Sequence, residues 1–245
     1  MKVFSLGNWF KKTFASTKTG TILFNELACH FPYAVFSVAL SLATAAILGY
    51  FSFGAQPEVV EHGSHVLFHT FHFMHIVFAS TGTVLTFFRF SNKILKGIIV
   101  GACSAIFFCV LSDSIMPYLV GEFMGVKMEF HICFITEINN VLPFLLVGLF
   151  NGWVLSKHNS AQSSFYSIWS HFMHIFVSSL ASMLYIISNG MHDWYDQMGV
   201  LFMFLIIAVV IPCTLSDVVV PVYFSQNHIG GVKEDECCSA KDGSH

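Results

Sequence analysis

The sequence predicts an all-α integral membrane protein of six transmembrane helices, built as two inverted three-helix repeats. Three observations predict it. Of the 245 residues, 55% are hydrophobic and 10% charged, with a mean hydropathy of +0.70; a soluble domain carries about 25% charged residues. The apolar residues fall into six runs, each near the length of about 20 residues that crosses a bilayer core. Several polar motifs also occur twice, in the same order, in the two halves of the chain.

Residues 1–20 read as a cytoplasmic basic lead-in, with Phe4, Leu6, Trp9, Phe10 and Phe14 among four lysines. Such a segment suits the membrane interface. The first repeat, 21–120, is expected to hold spans at 21–50, 64–88 and 97–120. The second, 131–224, is expected to hold spans at 131–155, 164–188 and 199–224. The separators are QPEVVEHGS, RFSNK, GEFMGVKME, SKHNSAQSS and NGMHDWYDQ. Residues 225–245 read as a cytoplasmic tail carrying Glu234, Asp235, Glu236, Cys237, Cys238 and His245. The first run is long and lacks a small-residue cleavage site, so it is not expected to be a cleaved leader.

Ten of the eleven Lys and Arg residues flank the spans on one side, and only Lys127 falls on the other. The positive-inside rule therefore places both termini in the cytoplasm. The seven cysteines have no disulfide-framework spacing and read as reduced thiols.

The repeat is carried by three matches. HFMHI occurs at 72–76 and again at 171–175. The pattern C-x-L-S-D-x3-P runs from Cys109 through Asp113 to Pro117, and from Cys213 through Asp217 to Pro221. Glu26 stands six residues before Pro32, and Glu137 six before Pro143. A unit of three spans is odd, so its second copy must be inverted in the membrane.

Charged groups in hydrocarbon cost about 2.5–3.5 kcal/mol each on insertion scales, so a repeated set calls for a reason. The expected metal ligands are Glu26, His72, His75, Cys109 and Asp113, with Glu137, His171, His174, Cys213 and Asp217. His72 and His75 share a helical face, as do Cys109 and Asp113. Imidazole, thiol and carboxylate together suit iron, zinc or manganese; calcium or magnesium would use oxygens alone. At 1.5 Å per residue the histidine pairs lie about 12–17 Å into the membrane. Glu26 and Asp217 are expected near the inner face, Glu137 and Asp113 near the outer. Pro117 and Pro221 are expected to break their helices, because proline clashes with the carbonyl four residues back. Those carbonyls belong to Asp113 and Asp217. His62, His65 and His69 extend the first histidine stripe outward and predict metal capture there.

A single HxxH would read as packing; two in equivalent positions do not. Met74 and Met173 read as packing, and Ser80 and Ser179 as helix contacts. Asn139, Asn140 and Asn151 have no counterparts in span one.

These readings predict a transporter for a divalent transition-metal ion, working by proton-coupled alternating access and not as an enzyme. Its partners are the lipid bilayer and the metal ion; no nucleic acid is expected, and a homodimer is compatible with six spans. A haem-binding electron carrier is the first alternative and a membrane metalloenzyme the second. The sequence has no HExxH and no GxxxxGK[ST].

Overall fold

Lipid offers no hydrogen-bond partners, so a spanning chain must pair its amides internally, and a helix does so locally. The computed structural model describes the backbone of residues 18–157 and 160–225, and the side chains of 31–157 and 169–225. The lead-in before residue 18, the tail after 225 and the side chain of Glu26 lie outside the described residues. Every described regular element is helical. α1 is Lys18–Phe51, α2 Pro57–Phe90, α3 Ile94–Val110 and α4 Met116–Phe123. A short turn, α5 (Cys133–Thr136), precedes α6 (Ile138–Leu155) and α7 (Ser160–Ser188). The last span is assembled from α8 (Met198–Leu205), α9 (Ile211–Thr214) and α10 (Val220–Ser225). Six of the helical segments are long and apolar enough to cross a membrane, which makes the chain a multi-pass integral membrane protein.

Two boundaries differ from expectation. QPEVVEHGS is largely helix rather than separator: Pro57 opens α2 in its first turn, with Glu58 beside it. Proline suits that turn because its missing N–H would be unpaired anyway, and an acid there complements the helix dipole. Residues 131–137 are not the start of span four. The chain is non-helical from Val126 to Ile132, and Glu137 (φ −131°, ψ 35°) separates α5 from α6. The Tyr185 hydroxyl pins this stretch to α7, accepting from the His131 amide at 3.2 Å and donating to the Glu129 carbonyl.

Pro117 and Pro221 do not break their helices. Each follows a π-helical turn, Leu111–Ile115 or Leu215–Val219. The amides of Met116 and Val220 reach back five residues, to the carbonyls of Leu111 and Leu215. The wider turn absorbs the proline without interrupting the span, and it carries Asp113 or Asp217.

α2 and α7 form the centre. In their most apolar windows 67% and 83% of residues are buried, against 44% or less for the other spans. Small residues let neighbours approach α2 closely. A Cβ on Gly148 would stand 2.6 Å from the Val77 carbonyl oxygen, and one on Gly152 2.8 Å from that of Thr81. The Thr81 hydroxyl donates to the Gly148 carbonyl at 3.0 Å. Phe36, Ile47, Leu95, Phe107, Phe150 and Ile207 point outward, as lipid contact requires.

Candidate metal centre

HxxH places two imidazoles on one face of α2, and the π turn after α3 presents Asp113 to both. Nδ1 of His72 and Nδ1 of His75 lie 2.9 and 2.6 Å from the same oxygen, Asp113 Oδ2. The second half repeats this: Nδ1 of His171 and of His174 lie 3.1 and 2.6 Å from Asp217 Oδ2. All six side chains are buried. An ionised carboxylate only accepts, so each Nδ1 donates, and in the neutral ring each Nε2 keeps its lone pair.

Lengths distinguish the two sides of each ring. Two nitrogen or oxygen ligands of one tetrahedral ion stand about 3.3 Å apart. The shortest imidazole–carboxylate contacts are well inside that and are hydrogen bonds in length. A nitrogen and a sulfur on one such ion stand about 3.6 Å apart. Nε2 of His75 lies 3.7 Å from Cys109 Sγ and 3.7 Å from Cys213 Sγ. The His75 and His174 rings face each other with centroids 4.5 Å apart. Donor atoms of His75, His174 and Cys213 all lie within 4.8 Å of one another, buried. The buried Nε2 of His174 has no hydrogen-bond partner of normal length among the described residues. Two imidazoles and a thiol converging on one small volume can hold a transition-metal ion.

Hydroxyls from both halves brace Asp113 and the two π turns. Asp113 Oδ1 accepts from Ser112 at 2.8 Å and Ser178 at 2.6 Å. Ser182 donates to the Ser112 carbonyl at 3.0 Å, and Thr83 to the Ser216 carbonyl at 3.1 Å. Opposite Asp217 stands Gly82, where a Cβ would come 2.8 Å from Oδ2.

Glu137 is not part of the buried centre. Its Oε1 lies 2.9 Å from Nε2 of His69 and 3.5 Å from Nε2 of His131. His69, His131 and Cys133 form a second group whose donor atoms all lie within 4.8 Å of one another. Of the three outer histidines expected to capture metal, only His69 joins this group. His65 is exposed and contributes its backbone carbonyl to Nδ1 of His69, at 2.9 Å; His62 is exposed. His131 and Cys133 were not singled out in the sequence. The signal was a His-x-Cys pair just before Glu137, hidden within a run that looked like membrane helix. Burial opposes ionisation of the Cys133 thiol, but the neighbouring His69 and His72 imidazoles outweigh it and hold the pKa below the usual thiol value. Burial, aided by the neighbouring His69, holds His131 below the usual histidine value. A cleft of about 420 Å³ lined by Glu61, His65, Lys127, Glu129 and His131 lies alongside.

No protein-family model, no curated protein and no solved structure matches the chain, so the donor geometry alone carries the functional reading.

Proposed function

We propose that the protein is a transporter for a divalent transition-metal ion, working by proton-coupled alternating access between two inverted three-helix repeats. One observation carries the reading. The two HxxH pairs are clamped by their Nδ1 atoms onto buried aspartates, and His75 and His174 turn their rings towards one another and the buried thiols. Asp113 and Asp217 then orient the imidazoles and raise their basicity, and Nε2 and thiol atoms take the ion. Thiols favour zinc or iron over manganese.

A row of donors supports passage. It runs from His72 through Asp113 and His75 to the thiols, then through His174 and Asp217 to His171. A centre this enclosed corresponds to an occluded state, with the repeats rocking to open either face. Both termini lie in the cytoplasm on this reading. A haem is poorly accommodated, because facing rings 4.5 Å apart leave no space for a porphyrin between them. Duplicated ligands also suit a carrier better than an enzyme, whose chemistry needs one asymmetric pocket.

The test is metal content of the detergent-purified protein by plasma mass spectrometry, followed by zinc and iron(II) uptake into liposomes. Wild type should retain a transition metal and take it up, and the His75→Ala/His174→Ala variant should do neither while remaining folded. Equal uptake by the two proteins would sink the reading.

A further inference from the structure

Four potential metal donors converge beside the N-terminal half of α2. Nδ1 of His69 donates to the His65 carbonyl at 2.9 Å, so the neutral ring bears its lone pair on Nε2. That Nε2 faces Nε2 of His131 at 3.3 Å and Oε1 of Glu137 at 2.9 Å. Oε1 of Glu137 is in turn 3.5 Å from Nε2 of His131. Three potential ligand atoms thus form a triangle with edges of 2.9–3.5 Å. Two edges, 3.3 and 3.5 Å, match the separation of about 3.3 Å between ligands of one tetrahedral ion, and the 2.9 Å edge is a hydrogen bond in length that an ion would replace. The Cys133 thiol completes the set, with its sulfur within 4.8 Å of both imidazole donors.

We propose that His69, His131, Cys133 and Glu137 form a second divalent transition-metal site, of zinc type, separate from the buried centre. Its carboxylate and thiolate neutralise a divalent ion, and its imidazoles and sulfur reject calcium and magnesium. The fold builds it from three pieces. α2 supplies His69, the non-helical stretch before α5 turns His131 back towards it, and the break at Glu137 aims the carboxylate at both rings. His131 and Glu137 side chains are each 27% exposed, so an ion reaches the site without opening the bundle. The inference does not depend on transport.

Titration of the purified, metal-stripped full-length protein with Co2+ tests it, because cobalt bound to thiolate shows a charge-transfer band that oxygen ligands do not give. Wild type should bind Co2+ with that band. Cys133→Ser should lose the part of the band due to this site, and His131→Ala one equivalent of tight cobalt. Glu137→Gln, which keeps size and polarity, should weaken this class of sites at least 10-fold, with its folded state checked by size exclusion. The His75→Ala/His174→Ala variant should keep these signals. Unchanged stoichiometry and spectrum in Cys133→Ser and His131→Ala would overturn the proposal. Cobalt bound here in a protein that transports nothing would leave this site standing and remove the transport reading.

Discussion

The two aspartates sit in the same motif and the same kind of π turn, yet their surroundings differ. Asp113 uses both oxygens: Oδ2 holds His72 and His75, and Oδ1 accepts from Ser112 and Ser178. Asp217 holds His171 and His174 through Oδ2, but its Oδ1 accepts no hydrogen bond among the described residues. One substitution within the repeat and one change of partner explain the contrast. Ser178 of α7 corresponds to Ala79 of α2, which has no hydroxyl to give. Ser216, the counterpart of Ser112, is engaged instead with Thr83 and Ser104, its hydroxyl 3.2 and 3.1 Å from theirs. A buried acceptor without a partner costs about 1–3 kcal/mol. The repeat therefore builds one braced half-site and one loose half-site from the same ligand set. On the proposed transport function such inequality is useful, because the loose half would yield the ion first.

The largest effect should come from neutralising the acids. Asp113→Asn and Asp217→Asn should each weaken metal retention by about 10–100-fold, the usual loss when the partner of a ligating histidine is removed. Equilibrium dialysis with zinc measures this. Asp113→Asn should also cost stability, about 1.5–3 kcal/mol, because it sacrifices charge-assisted bonds to both imidazoles and two hydroxyls. Asp217→Asn should cost less, and equal losses in chemical denaturation would erase the contrast.

Removing one hydroxyl should move the braced half part of the way towards the loose one, leaving Asp113 Oδ1 with Ser112 alone. Ser178→Ala should destabilise by about 1–3 kcal/mol, read from denaturant midpoints in detergent. The reverse exchange, Ala79→Ser, should add about 0.5–1.5 kcal/mol if the new hydroxyl reaches Asp217. Opposite signs for the pair would sharpen the comparison, and no change in either would show that hydroxyl bracing has no energetic weight.

Crowding the loose half comes next. Gly82→Ala should cost about 1–3 kcal/mol, since its Cβ would come 2.8 Å from Asp217 Oδ2 and 3.1 Å from Oδ1. The counterpart in the braced half is already Ala181, fully buried. The smallest effect belongs to Gly63→Ala on the same helix, where nothing lies within 4 Å. It should stabilise by about 0.5–1 kcal/mol through helix propensity alone. A thermal scan of both variants checks that the two glycines have opposite signs.

Much of this architecture was legible in the sequence. Six spans follow from hydropathy because lipid forces each apolar run into a helix, whatever its neighbours. The duplicated HFMHI and C-x-L-S-D-x3-P motifs named eight of the residues that meet in the buried centre, because helical periodicity puts i, i+3 and i, i+4 on one face. Proline after each aspartate announced a local distortion.

Tertiary structure decided the rest. Nothing in the repeat tells that Asp113 and Asp217 take the Nδ1 side of the imidazoles and leave Nε2 towards the thiols, because that depends on how α2 and α7 are rotated against their neighbours. Nor does it tell that proline is absorbed by a π turn instead of a break. Glu137 paired with Glu26 by position, yet it joins His69 and His131 beside the N-terminal half of α2, through a stretch whose hydropathy resembles span. Hydropathy and periodicity are properties of consecutive residues, so the chain alone determines them. Hydrogen-bond partners, tautomers and the inequality of the two half-sites are properties of residues far apart in sequence, and only packing brings those together.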